Sequence, residues 1–177
     1  TLDGKVLSFV PGIGDPQMLF LANNVSRMKD DDEQGTRIVE INNGLSLFTG
    51  NADGGESNLR RYIIEKDMLE AIIAMPENMF YNTGIGTFIW IITNRKEVRR
   101  RGKVQLIDAT SIKTPLRKNL GNKNCEASDT DRTTILKLLT DFEENEQSKI
   151  FDNREFGYWQ ITVDRPLRLR IKDSYDL

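Results

Sequence analysis

"FYNTGIGTFIWIITNR", residues 80–95, decides how the rest of the chain is read. Its second half, "GTFIWIITN" (86–94), is a short run of β-branched and aromatic residues between a glycine and a return to charge. That is the pattern of a strand buried in a sheet. Its first half is a loop of aromatics, an amide and glycines set where the strand begins, so one stretch carries both core and a candidate binding loop.

Two further strand-like runs flank it, "TRIVEIN" (36–42) and "LEAIIAMP" (69–76), and between them residues 57–67 place Leu59, Tyr62 and Ile63 at helical spacing. Strand, helix, strand predicts a parallel crossover in an α/β sheet. Residues 15–29 carry Met18, Leu21, Ala22, Val25 and Met28 on one helical face, with Asp15 and Pro16 as cap and first turn. "GKVQLIDA" (102–109) adds a strand. Ser128 to Glu144 adds a helix with Ile135, Leu138, Leu139 and Phe142 on one face, and "YWQITVDRPLRLRIK" (158–172) alternates as an edge strand would. The polar stretches 29–36 and 117–134 read as connections. Glu40 departs from the pattern: it puts a charge in a strand where an apolar residue is expected, and it needs a partner or a route to solvent.

Composition bounds the chemistry. With 177 residues, 38% of them hydrophobic, the chain can bury a core, and it contains no apolar run of membrane-spanning length. It holds one cysteine, Cys125, and no histidine, which argues against an internal disulfide, a zinc site and a histidine general base. A reducing cytoplasm is the expected setting. The formal net charge of -2 gives no global attraction to nucleic acid. "PGIGDP" (11–16) and "GNADGGESNLRR" (50–61) have glycines but lack the remainder of a phosphate-binding fingerprint, and they read as helix-entry loops. "RKEVRRRGK" (95–103) reads as a solvated hairpin turn and Arg168, Arg170 and Lys172 as the wet face of an edge strand, with phosphate contact the alternative for both.

The blocks "RIVEINNGLSLFTGNADGGESNLRRYIIEKDMLEAIIAMPENMFYNTGIGTFIWIITNRK" (37–96), "RGKVQLIDAT" (101–110), "LRKNLGNK" (116–123) and "KIFDNREFGYWQITVDRPLRL" (149–169), in that order, closely resemble the later part of the modification subunit of type I restriction-modification systems. "SFVPGIGDPQMLFLANNVSRMK" (8–29) is similar to the family's helix before the first of these strands. The resemblance implies N6-adenine methylation of DNA with S-adenosylmethionine as donor, and a doubly wound α/β methyltransferase sheet. It further implies that residues 1–110 are the carboxyl-terminal half of the catalytic domain, and that 111–177 are a partly helical extension with one helix and a terminal strand. "GTFIWIITN" would be the last, antiparallel strand, inserted between the strands at 36–42 and 69–75.

Two family elements are expected to lie outside this chain. The glycine-rich cofactor loop is one; the Asn-Pro-Pro-aromatic tetrapeptide is the other, since the prolines at 11, 16, 76, 115 and 166 all stand alone. The resemblance therefore assigns no catalytic, cofactor-binding or metal residue here, and it expects the chain alone to be inactive and to hold no cofactor tightly. It does place Phe80, Tyr81 and Asn82 against a flipped-out target base, with Thr83 and the glycines at 84 and 86 allowing polar contact and close approach. Asn42, Asn43 and Gly44 would line the same cleft; an ordinary Asn-Gly turn is the alternative. The partners implied are DNA, the specificity and restriction subunits, and the amino-terminal half of the same protein. Two other readings stand beside this one: a non-catalytic scaffold module that binds a specificity subunit, and an unrelated cytoplasmic α/β enzyme.

Overall fold

The computed structural model describes residues 8–10, 12, 16–29 and 33–165. Along the chain these form α1 (Gln17–Ser26), β1 (Arg37–Asn43), α2 (Leu45–Phe48), α3 (Gly55–Glu65), β2 (Leu69–Ala74), β3 (Thr87–Thr93), β4 (Lys103–Asp108), β5 (Thr114–Leu120), β6 (Lys123–Glu126), α4 (Asp129–Asp141) and β7 (Ser148–Asp152). Five strands make one mixed sheet in the order β1-β3-β2-β4-β7, and β5 and β6 pair separately. Strand β3 runs antiparallel to both neighbours, so β1 and β2 point the same way on either side of it. Strands β2 and β4 are parallel, and β7 closes that side antiparallel. The run at 86–94 is thus the inserted antiparallel strand that the resemblance implied.

Alternation along each strand builds a core on both faces. On one face Met18, Leu21, Leu59 and Ile63 from α1 and α3 cover Trp90, Ile92 and Val104. On the other, Ile135 of α4, flanked by Leu138 and Leu139, covers Ile73, Ile91 and Ile107. Helix α4 starts at a capping box: the Ser128 hydroxyl accepts from the Asp131 amide, and the Asp131 carboxylate accepts from the Ser128 amide at 2.9 Å. It stops where Phe142 turns left-handed at φ 53°. Among the described residues no helix is long and apolar enough to cross a membrane.

Several expectations need correction. Residues 158–165 take no strand conformation, because β7 already occupies the place beside β4; 166–172, with Arg168, Arg170 and Lys172, lie outside the described residues. The Asp15 cap also lies outside them, and Pro16 holds the N-cap position. The polar stretch from 117 is no simple connection but most of the β5–β6 hairpin. Residues 95–103 are not a hairpin turn either: they carry the chain from β3 past the amino end of β2 to β4, and Lys96 and Arg100 are buried there.

Glu40 finds both remedies that its sequence position called for. Strand β1 is the outer strand of the sheet, and the Asn24 amide donates to the Glu40 carboxylate at 3.0 Å. Half-burial raises its pKa, with that hydrogen bond acting in the opposite direction. On the same strand Val39 and Ile41 are 63% and 52% exposed, where α4 does not reach. An open edge beside uncovered apolar residues favours pairing with another chain. The chain purified alone is therefore expected to sediment as concentration-dependent oligomers. A monomer that survives hundredfold dilution, with the β1 amides that point away from β3 also protected, would show that the edge is covered from within.

Candidate target-base site

The loop from Pro76 to Gly86 joins β2 to β3 at the carboxyl ends of the parallel strands, the end at which open α/β sheets bind ligands. Its base is fixed. Pro76 is fully buried, Met79 packs against the second core cluster, and the Met75 amide donates to the Thr87 carbonyl at 2.8 Å. Asn78 and Asn82 both turn left-handed, at φ 59° and 58°, a conformation asparagine tolerates better than most residues. Between them the chain makes a tight turn, with a single bridge pairing Phe80 and Thr83.

This geometry lifts the aromatics out of the core. Phe80 is 39% exposed and Tyr81 68%, and neither belongs to a core cluster. Asn82 is exposed beside them.

The loop is backed by the β5–β6 hairpin, which the sequence reading missed. A signal was present: Gly121 and Asn122 form a two-residue turn closed by the pairing of Leu120 with Lys123, and Gly-Asn is a hairpin dipeptide. Gly121 has φ +59°, and a Cβ there would lie 2.8 Å from Asn82 Oδ1 and 3.3 Å from Tyr81 Cε2, so only glycine lets the hairpin tip rest on the aromatic loop. Below the tip the Asn124 amide donates to the Asn78 carbonyl at 3.1 Å, and the thiol of buried Cys125 donates to the Glu77 carbonyl at 3.3 Å.

Asn42, Asn43 and Gly44 reach the same end of the sheet, since β1 ends where β3 begins. Their contacts are largely internal. Asn43 exchanges two hydrogen bonds with Gln17, its side chain accepting at 2.9 Å and its amide donating at 3.0 Å, and its Oδ1 also accepts from the Leu45 amide. Gly44 precedes α2, where a Cβ would come within 3.3 Å of Phe88. Asn42 is 3% exposed and its side-chain nitrogen lacks a well-formed hydrogen bond. Among the described residues no hydrogen bond joins 42–44 to 80–82. The first group braces α1 and α2; the second presents side chains to solvent.

The glycine-rich entry to α3 is filled by the chain itself. Glu56 accepts from the Gly12 amide at 2.7 Å, and its carboxylate would lie 2.8 Å from a Cβ on Gly50. Arg60, on the same helix, donates to the carbonyls of Ser46 and Thr49. A cleft of about 610 Å³ opens next to this helix, lined mainly by apolar side chains such as Ile72, Phe88, Trp90, Leu106 and Phe151, with Arg60, Asp108, Glu146 and Lys149 as its charged residues. Such a lining suits apolar side chains more than a charged small molecule.

A family model described as N-6 DNA Methylase matches residues 16–157. Among curated proteins, the methylase subunit of the type I restriction enzyme MjaVII of Methanocaldococcus jannaschii is 40% identical over 65 residues, 37% of this chain and 11% of that protein. The corresponding MjaVIII subunit of the same organism is 32% identical over 101 residues, 56% of this chain and 16% of the relative. The chain thus spans a small part of the length of these relatives. Among solved structures, the type I restriction-modification methyltransferase subunit from Streptococcus thermophilus matches with a TM-score of 0.65 at 22% identity, over 80% of this chain and 27% of that one. That likeness is one of fold.

Proposed function

The chain belongs to the N-6 DNA methylase family, and from that membership we propose that it is the later part of a type I DNA methyltransferase domain that methylates N6 of adenine. In this reading residues 1–110 are the carboxyl-terminal half of the catalytic domain, and 111–177 are an extension whose strand β7 joins the same sheet. The observation that carries it is the exposure of Phe80 and Tyr81 on a braced loop at the carboxyl ends of the parallel strands. Aromatic faces held out of the core suit a base that has left its stack, because stacking accepts a base with little demand on its sequence context.

S-adenosylmethionine supplies the activated methyl group in such chemistry. The part that falls to this chain is placement: Phe80 stacks on the adenine, Tyr81 shapes the wall beside it, and Asn82 offers an amide to the base edge. The residues of this chain do not fit the donor itself. The glycine-rich helix entry is occupied by Glu56, and the cleft beside it is lined mainly by apolar side chains. The donor is assigned to polypeptide that packs against the open edge of β1, in the cytoplasmic complex with specificity and restriction subunits to which the resemblance points.

The test uses the subunit that carries this chain, with its specificity subunit, tritiated S-adenosylmethionine and duplex DNA. Methyl transfer to adenine N6 is expected. This chain alone is expected to transfer none and to bind the donor no tighter than about millimolar. Micromolar binding by calorimetry would overturn that division of labour. A subunit that assembles and binds DNA without methylating it would favour the scaffold reading.

A further inference from the structure

The structure treats two sets of basic residues in opposite ways. In the connection at 95–103 four of the six cations are paired, Lys96 with Asp67 at 2.6 Å, Arg99 with Glu97 at 2.8 Å, Arg100 with Glu70 at 3.5 Å and Lys103 with Asp152 at 3.3 Å, while Arg95 and Arg101 are exposed. The paired cations hold the protein together. On and beside the hairpin, Lys113, Arg117, Lys118 and Lys123 face a single carboxylate within 113–126, that of Glu126, and none of the four forms an ion pair among the described residues. Arg117 and Lys118 are exposed. Of the next acids along, Asp129 pairs with Arg132 at 3.3 Å, and Asp131 is engaged by Thr114 at 2.7 Å and by Ser128.

Position gives this cluster its meaning. The hairpin tip rests on Tyr81 and Asn82 through Gly121, and its second strand is tied to the loop by the Asn124 and Cys125 hydrogen bonds. Unpaired cations on a chain of net charge -2 therefore stand as a local positive wall next to the exposed aromatics. An extruded base leaves its flanking phosphates to be held in place, and contacts to phosphate fix register without reading sequence.

We propose that the β5–β6 hairpin is a clamp for the phosphate backbone of duplex DNA, gripping it through Arg117, Lys118 and Lys123 beside the base held at Phe80. The clamp rests on the reading of the loop as a target-base site, and it adds a second surface with a separate observable. Each phosphate neutralised by the protein releases counterions and steepens the dependence of log affinity on log salt by about 0.9.

The experiment measures binding of the complete, assembled subunit to a duplex by fluorescence anisotropy between 50 and 200 mM salt. The triple variant Arg117→Gln, Lys118→Gln, Lys123→Gln is expected to flatten the slope by about 2 to 3 and Arg117→Gln alone by about 1. The control Arg95→Gln, Arg101→Gln, which removes exposed charge at the opposite end of the sheet, is expected to leave the slope unaltered. A slope that the hairpin variants leave intact overturns the clamp, as does an equal effect from the control pair. Methyl transfer by the wild type is scored separately. If it methylates while the hairpin variants keep the full slope, the clamp fails and the function stands; if it does not methylate while they flatten the slope, the function fails and the clamp stands.

Discussion

Arg100→Met is expected to lower stability by about 3 kcal/mol, seen as a fall of about 1.5 M in the urea midpoint at a slope of about 2 kcal/mol per M. Arg100 is 3% exposed and its guanidinium serves four groups at once. It pairs with Glu70 at 3.5 Å, donates to Gln105 Oε1 at 3.0 Å and to the Leu139 carbonyl, and lies 4.3 Å from the centre of the Phe142 ring. Burial lowers its pKa and the Glu70 charge opposes that. Gln105 passes the tie onward, donating to the Leu138 carbonyl at 2.8 Å and to the Ser148 hydroxyl at 2.9 Å. One side chain therefore joins the end of α4, the middle of β4 and the start of β7. Methionine fills the volume but leaves Glu70, 5% exposed, with only the half-exposed Arg37 at 2.9 Å. Losing one partner of a buried pair costs more than losing both, so Glu70→Leu added to Arg100→Met should recover much of the midpoint. A single variant within about 0.5 kcal/mol of wild type would show that this network adds nothing to stability.

That network also marks where sequence stops being informative. Periodicity made α1, α3 and α4 legible, because each buries a face of apolar side chains, and the unbroken apolar run made β3 legible. The cations at 95–103 look like a solvated turn because their partners Asp67, Glu70 and Asp152 are distant in sequence or hidden in a strand pattern. Asp67 is a case in point. Burial opposes its charge, yet hydrogen bonds from Lys96, the Gly102 amide and Asn153 outweigh that and hold its carboxyl below the usual range. Nothing local announces such convergence. Strands β5 and β6 were illegible for another reason: "TPLRKNL" and "KNCE" bury only Cys125, so their pairing leaves almost no hydrophobic alternation to read. Conversely the alternation at 158–164 is real but misleading, since Trp159, Ile161 and Val163 are 95%, 77% and 81% exposed with no strand beside them. The candidate loop was legible as a loop, and its exposure was not. Whether an aromatic beside a strand plugs the core or faces solvent turns on backbone angles at Asn78 and Asn82 that the residue types permit without dictating.

Phe80→Ala in the complete enzyme is expected to lower kcat/KM for methylation tenfold to a hundredfold, the equivalent of about 1 to 3 kcal/mol of lost stacking, while leaving the unfolding midpoint unchanged. The two halves of that statement rest on different observations. The activity loss follows from an aromatic face presented at the carboxyl ends of β1 and β2. The unchanged midpoint follows from Phe80 being 39% exposed and outside both core clusters, so its truncation opens no cavity. Its neighbours provide the contrast. Met79 packs against the second cluster, so Met79→Ala should lower the midpoint and affect turnover only as far as folding suffers. Tyr81 is a poorer probe, because it also supports the hairpin tip at Gly121 and its removal disturbs two surfaces at once. Phe80→Tyr keeps the ring face and should retain most of the activity, which separates stacking from mere bulk. Normal methylation by Phe80→Ala would make the residue a bystander, and a variant that unfolds would make it a core plug; either result would move the target-base site away from this loop.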